Sequence, residues 1–556
     1  MRPLLTIALA AGALAAGALA AAGPAEAARY AVGIAEGASP ARVAADLARA
    51  TGGRVSSELF QLGALTLTAP SARGAGRVPG VAYVERLDRT RRLAFVPTDP
   101  LAAKQWYLAK IRAFDAWAEQ PPLAGPLVAV VDSGVDGEHP DLKEQIVAAR
   151  SFVGGNPKVD DLGHGTFVAG IVAARQNAQG VAGIAWPARL IVAKVVGPDR
   201  SISLEAEVKA IRWAADQGAR VINMSLGGIR NPLDPDEDTF SPLEAAAIEY
   251  AYSRGALVVA AVGNADQAPR RPWPWANYPA ALPHVVGVSA VARDGSVPTF
   301  SHRDQIYNDL AAPGTEMLST LPRSLTSARP QCANQGYSDC GPDEYRRAEG
   351  TSFAAPQVTA AAALVLSVRP DLAPDQVAAL LTRSAVDANA NSGCRTCPLL
   401  RDRFTGWGVL DVTAGVTQAL SGQVPPADAL EPNDDAGVSA RTVADRKGTI
   451  RATVDFWDDQ NDVYRIRLFP GQRLFATLTG RPGTRIYLWR PGTRTLNSLT
   501  ALAGNLRVAR SVQRGASQRL GYRVPGKRPG FYYLQVKLEA DGAGPYTLSF
   551  AKLRGG

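Results

Sequence analysis

Between residues 96 and 420 the chain alternates short, nearly unbroken apolar runs with longer segments whose apolar residues recur every three or four positions. The runs are Leu127–Val131, Leu190–Val196, Val221–Ser225, Leu257–Val262 and Val285–Ala290. Short apolar runs without polar alternation fit strands buried on both faces. The periodic segments, Gly165–Arg175, Ser203–Gln217, Pro242–Arg254, Ser352–Val368 and Ala373–Ser384, predict helices between or after them. Alternating strands and helices predict an α/β fold: a parallel sheet covered on both faces, with functional residues at the carboxyl edge of its strands.

Two other patterns flank this segment. Residues 28–95 read as strand Arg29–Ile34, helix Ser39–Thr51 opened by Ser39-Pro40, then strands Val55–Ala69 and Val81–Leu87, a small ferredoxin-like α/β module. Residues 421–430 read as a linker. From 431 to 556 the period shortens to two, in Asp462–Leu468, Phe475–Leu478, Ile486–Trp489, Gly530–Lys537 and Tyr546–Phe550, with Pro470-Gly471 and Pro491-Gly492 as turns. That pattern predicts an all-β sandwich.

The first 27 residues change the expected compartment. Arg2 precedes an apolar stretch, Leu4–Ala22, which Gly23-Pro24 breaks before the small-x-small site Ala25-Glu26-Ala27. This is the pattern of a cleaved secretory signal, so residues 1–27 predict a secreted, extracellular protein. No later run reaches the roughly 18–20 apolar residues of a membrane span, so none is expected after signal removal. Export makes disulfides plausible. Of the three pairings open to the four cysteines, proximity favours Cys332–Cys340 and Cys394–Cys397 over a redox or zinc role. The net charge of +9 is concentrated in the tail, where 21 Lys/Arg face 10 Asp/Glu from Glu431 onward. Basic charge without a recognition motif does not indicate nucleic acid, and it reads as a solvated arginine-rich face or a surface for acidic partners. Nothing in the pattern calls for a second copy, and a monomer is expected. Asp455, Asp458, Asp459 and Asp462 read as a solvated acidic turn in preference to a cation site.

The candidate chemistry starts from histidine, of which there are four. His164 is flanked by glycines in Asp161-Leu162-Gly163-His164-Gly165-Thr166, at the start of a predicted helix, where an imidazole can face a cleft as general base. Asp132 ends the run Leu127–Val131 and can orient that imidazole. Ser352 lies in Gly350-Thr351-Ser352-Phe353-Ala354-Ala355-Pro356 at the start of an alanine-rich helix, where positive potential favours developing negative charge. Asn264 follows a strand in Gly263-Asn264 and offers an amide donor. Singly, these are ordinary turn and cap residues. Together, in the order Asp, His, Ser, they form a set distinct from chymotrypsin and the α/β-hydrolases.

With those motifs, and with Asn223-Met224-Ser225-Leu226-Gly227-Gly228, the chain resembles the subtilisin-like serine peptidases from Gln105-Trp106 to about Val416. The resemblance implies a serine endopeptidase acting on proteins or peptides, with Asp132 as orienter, His164 as acid/base, Ser352 as nucleophile and Asn264 in the oxyanion hole. It implies that Ser225, Leu226, Gly227 and Gly228 hold the substrate backbone, with Asn277 near the pocket floor. It also implies a calcium site from Asp141, Asn177 and the carbonyls of Arg175, Gln179 and Val181. The 28–95 module resembles the family's inhibitory propeptides, which act on their own enzyme, and the junction is expected between Arg92 and Lys104. The tail resembles the bacterial pre-peptidase C-terminal domain, through Glu431-Pro432-Asn433-Asp434, Asp462-Val463-Tyr464 and Gly544-Pro545-Tyr546. Departures are Phe167, the acidic insertion Asn231–Phe240 and the long segment Pro322–Glu349. Two alternatives stand beside the endopeptidase: a catalytically silent fold with an occluded cleft, and a surface-binding protein acting through tail aromatics such as Trp457, Tyr487 and Trp489.

Overall fold

The computed structural model describes residues 28–87, 95, 97–119, 124–197, 199–328, 344–496, 505–514 and 517–553. The expected signal, the Cys332–Cys340 pair and the first residues of the expected propeptide junction lie outside these residues. The chain divides into two units, Met1–Leu93 and Ala94–Gly556.

The first unit is a four-stranded antiparallel sheet of β1 (Ala28–Ile34), β2 (Arg54–Ser56), β3 (Ala64–Ala69) and β4 (Val81–Arg86), in the order β2-β3-β1-β4. The helix Pro40–Thr51 places Val43 and Leu47 in a core with Val32, Leu65 and Leu67. The single strand expected over 55–69 is two strands, because the chain turns through a 3₁₀ segment at Phe60–Leu62.

In the second unit, seven parallel strands form the central sheet: β5 (Leu127–Asp132), β6 (Ile146–Ser151), β7 (Arg189–Lys194), β8 (Val221–Met224), β9 (Leu257–Ala261), β10 (Val285–Val291) and β11 (Leu310–Pro313). Their order is β11-β10-β9-β8-β5-β7-β6. The five expected strands are the inner ones. The sequence reading missed the two edges, because β6 is only half-buried and β11 has four residues. The helix Thr351–Val368 is long and apolar enough to cross a membrane by length and composition, contrary to the expectation that no later segment is, yet 83% of it is buried in this unit. It is a core helix whose alanines let neighbouring backbones approach closely.

On the opposite face, helices Leu204–Asp216 and Pro242–Ser253 bury Glu207 and Glu244 against each other. Burial raises Glu207 to about 7, and burial with the charge of Glu207 raises Glu244 to about 9. The fold therefore holds these carboxyls protonated, whereas the unfolded chain ionises them near 4.5. Their contribution to stability is lost as pH rises from there through the folded values. Glu244→Gln is expected to raise stability near pH 9 by on the order of 1–3 kcal/mol and to change little near pH 5. Calorimetric Tm at the two pH values checks it.

The tail packs two five-stranded sheets face to face over a core that includes Tyr464, Leu474, Leu488, Leu534 and Leu548. Two expectations fail here. Tyr487 and Trp489 are buried, at 8% and 2% exposure, and Trp457 is half-buried against Trp407 and Arg383 of the middle segment. The acidic residues are not a solvated turn: Asp455 and Asp459 are each 6% exposed and Asp462 is fully buried. Cys394 and Cys397 are disulfide-bonded in a loop of the middle segment.

Candidate active site

Asp132 is the last residue of β5, at the carboxyl edge of the sheet and 2% exposed. Its carboxylate lies 2.8 and 2.9 Å from Nδ1 of His164 and accepts the Ser133 N–H at 2.7 Å. His164 is the first residue of the helix His164–Ala173. That helix start is fixed by Asp160, a buried residue the sequence reading passed over. Its two oxygens accept from Gly163 N (2.8 Å), Thr166 N (2.8 Å), Thr166 Oγ1 (2.7 Å) and Ser133 Oγ (2.8 Å). Ser133 Oγ in turn accepts from Gly165 N at 3.0 Å, so strand end and helix start are tied together. Gly165 is required by this close approach, because a Cβ there would lie 2.1 Å from the Gly134 carbonyl. The only sequence signal for Asp160 is an acidic residue four positions before the histidine.

Ser352 stands in the first turn of the helix Thr351–Val368. Phe353 beside it packs against His164 and Phe167, with centroids 5.5 and 4.5 Å away. Pro356 has no N–H to give the carbonyl four residues back, which is that of Ser352. Ser225 Oγ donates to that carbonyl instead, at 2.7 Å. Ser225 Oγ accepts from Asn223 Nδ2 at 2.9 Å, and Asn223 Oδ1 accepts from Thr359 Oγ1 at 2.9 Å. The segment after β8 is thus stitched to the Ser352 helix.

Asn264 Oδ1 accepts from Thr351 N (2.9 Å) and Thr351 Oγ1 (3.0 Å). With the oxygen committed to two donors, the amide orientation is set, and Nδ2 faces away from Thr351. Gly350, at φ +147°, has no Cβ to crowd that amide, and a Cβ built there would lie 3.4 Å from Nδ2. Burial works to lower the His164 pKa, but the charge and hydrogen bond of Asp132 outweigh it, and the pKa is raised above 6.5.

The subtilase family model matches residues 124–408. The chain is 34% identical over 316 residues to the major intracellular serine protease of Bacillus subtilis (strain 168), covering 55% of this chain and 86% of that one. It is 34% identical over 277 residues to thermitase of Thermoactinomyces vulgaris, covering 49% and 86%. The chain belongs to the subtilase family. This subtilase is a serine-type peptidase, a hydrolase. Fervidolysin of Fervidobacterium pennivorans matches over 348 residues at 30% identity, 60% of this chain but 46% of its own length.

In this subtilase Leu226 is half-buried and Gly227 exposed, while Gly228 exchanges backbone hydrogen bonds of 2.9 Å with Tyr278. Asn277 is 1% exposed, and a Cβ on Gly263 would lie 2.7 Å from its amide. Asn277 therefore backs the Gly263–Asn264 turn from beneath. His302 lies on the same turn, its Nδ1 3.1 Å from the Val262 carbonyl, and burial lowers it to about 4.

The loop 175–181 brings together the residues named for calcium. Asp141 accepts from Val181 N (3.2 Å) and Asn177 Nδ2 (3.1 Å), and Asn177 Oδ1 accepts from Gln179 N (2.9 Å). Arg175 N donates to the Asp141 carbonyl at 2.9 Å. The reading missed Asp99, whose Oδ1 accepts from Asn177 N at 2.9 Å. Asp99 is 3% exposed and its Oδ2 is buried without a partner. Burial raises Asp141 to about 6. Two buried carboxylates, one with an orphaned oxygen, fit a hard cation bound by oxygen ligands.

Proposed function

We propose that this chain is a secreted serine endopeptidase, made as a self-processing zymogen, that hydrolyses peptide bonds through an acyl-enzyme on Ser352. The observation that carries the reading is Asp132 on His164 Nδ1, beside a helix that carries Ser352 in its first turn and whose first residue, Thr351, is hydrogen-bonded to Asn264. Asp132 holds the Nδ1–H tautomer, which leaves Nε2 to take the Ser352 proton as Oγ attacks the scissile carbonyl. Asn264 Nδ2 and the backbone N–H of Ser352 receive the developing oxyanion. On collapse His164 returns the proton to the leaving amine. A water then repeats the cycle and frees the acid. Leu226 and Gly227 offer an open backbone edge for an extended substrate. Residues 28–95 serve as the inhibitory propeptide and residues 1–27 as the signal.

Casein hydrolysis by the secreted protein, beside a phosphonate label and mass spectrometry, tests the reading. Labelling of Ser352 and trimming of the amino terminus are expected in the parent alone and not in Ser352→Ala. A folded parent that neither cuts casein nor takes the label would leave the silent fold or a surface-binding protein acting through the tail.

Calcium held by Asp99, Asp141, Asn177 and the carbonyls of Arg175, Gln179 and Val181 would neutralise the buried carboxylates and stiffen the loop. With calcium at about 100 times its Kd, the bound ion is worth about 2.7 kcal/mol, or a Tm shift on the order of 3–4 °C for a unit of this size. EGTA is expected to lower the Tm of the parent by that amount and to leave Asp99→Asn unmoved.

A further inference from the structure

Away from His164, a cavity of about 320 Å³ lies within the second unit, between the middle segment and the tail. Tyr252, His284 and Asp375 line it from one side, and Glu431, Asp434 and Asp458 from the other. His284 is a surprising side chain to find there. It is 5% exposed and stacked on Tyr252 at 3.9 Å between centroids. Its Nδ1 is 3.2 Å from Asp434 Oδ2, and its Nε2 is 3.4 Å from Glu249 Oε2 and 3.5 Å from Glu431 Oε2.

Nε2 has no hydrogen-bond partner, and neither has Glu249 Oε2. A neutral imidazole carries one proton. With that proton on Nδ1, facing Asp434, the Nε2 lone pair meets two carboxylate oxygens. With it on Nε2, a single N–H serves at most one of them well, and Nδ1 then opposes Asp434. Against ionised carboxylates, either tautomer leaves lone pairs facing lone pairs in a buried site. Among the described residues no Lys or Arg is ion-paired with Glu249, Glu431 or Asp434. Of the nearby arginines, Arg401 is engaged with Asp309 and Arg383 with Asp455.

We propose that a divalent ion of the zinc class binds between His284 Nε2, Glu249 and Glu431, and fastens the tail to the middle segment. Zinc takes imidazole nitrogen at about 2.0–2.1 Å and carboxylate oxygen at about 2.0–2.2 Å, so tetrahedral ligand atoms stand about 3.3–3.5 Å apart. The two N–O separations at Nε2, 3.4 and 3.5 Å, match that edge, and His284, Glu431 and Asp434 each bring a ligand atom within 4.8 Å of the others. Asp434 on Nδ1 supplies the partner that a ligating histidine needs to fix its tautomer. Ser439 Oγ from the tail donates to Glu249 Oε1 at 2.6 Å and steadies the other ligand. Two ligands, His284 and Glu249, come from the middle segment and one, Glu431, from the tail, so the ion is completed only when the two are docked. Glu431 also belongs to a second group, with Asp428, Asp459 and Asp462, that is all oxygen and suits a harder cation, so nitrogen ligation by His284 tells the two apart.

The test uses full-length protein in the Ser352→Ala background, to prevent self-digestion. After chelation and dialysis, zinc is restored, excess is removed and metal is counted by mass spectrometry. The parent is expected to retain one zinc equivalent that His284→Gln and Glu249→Gln lose. Cobalt(II) added to the chelated parent should give visible d–d absorption that His284→Gln lacks, which needs no comparison of variant stability. Cleavage in 421–430 by an added protease should speed up on chelation and slow again with zinc. Equal zinc in parent and both variants, or a parent that binds only calcium with no response to His284→Gln, overturns the proposal.

Discussion

Replacing Ser352 with alanine is expected to lower kcat/KM on casein or a peptide by about 10⁴–10⁶, the range established for triad residues in serine peptidases, subtilisin included. His164→Ala should cost about as much, and the double variant little more. The reason lies in the division of labour. Without Nε2 to take its proton, the Ser352 hydroxyl is a weak nucleophile, and without Oγ the base has nothing to activate, so each deletion removes the same step. Residual turnover above that in water should remain, because Asn264 and the cleft edge are untouched. The acid limb of the parent's kcat/KM profile follows from His164. The base works only unprotonated, and its pKa is raised by Asp132, so the limb should fall above pH 6.5. Initial rates across pH, with active sites titrated by a phosphonate, measure both effects. A Ser352→Ala protein within tenfold of the parent, free of contaminating activity, would end the assignment.

The sheet was legible because its inner strands are apolar on both faces, and that leaves unbroken runs such as Leu257–Val262. The edges were not, because β6 alternates exposure and β11 is too short to show a period. Asp132, His164, Ser352 and Asn264 were legible as an ordered set of motifs, although none is distinctive alone. What supports them was hidden. Asp160 acts through backbone N–H groups, and any acidic residue near a helix start looks the same. Ser225 was read as an edge for substrate, yet its hydroxyl answers the carbonyl that Pro356 leaves without a partner 127 residues away in sequence. Asp99 lies far from the loop it joins. The tail misled because an aromatic in an alternating strand looks identical whether it faces solvent or a second sheet. Trp489 faces inward. The acidic residues at 455–462 looked solvated because charge normally is. Asp455 is paired with Arg383 of the middle segment, and Asp462 is enclosed within the tail by Asn433 and Tyr546.

Asn264 is the position where a structural role and a chemical one are most easily confused, and the geometry separates them. Its Oδ1 holds Thr351 N and Oγ1, which sets the start of the Ser352 helix, while Nδ2, turned away from Thr351, is the donor proposed for the oxyanion. Removing the side chain as Asn264→Ala is expected to cost about 10²–10³ in kcat, the magnitude established for the corresponding donor in a subtilisin, with KM little changed. That split is expected because the donor strengthens its bond only as the oxyanion forms. Alanine also frees Thr351, so a displaced helix would give the same fall. Asn264→Asp resolves this. It keeps an acceptor for both Thr351 donors and the same shape, but it loses the N–H groups and sets a negative charge where negative charge develops. If Asn264 stabilises the transition state, Asn264→Asp falls at least as far as Asn264→Ala in kcat while its Tm stays closer to the parent's. If Asn264 only positions the helix, aspartate restores turnover toward the parent, and the second oxyanion donor must be sought elsewhere.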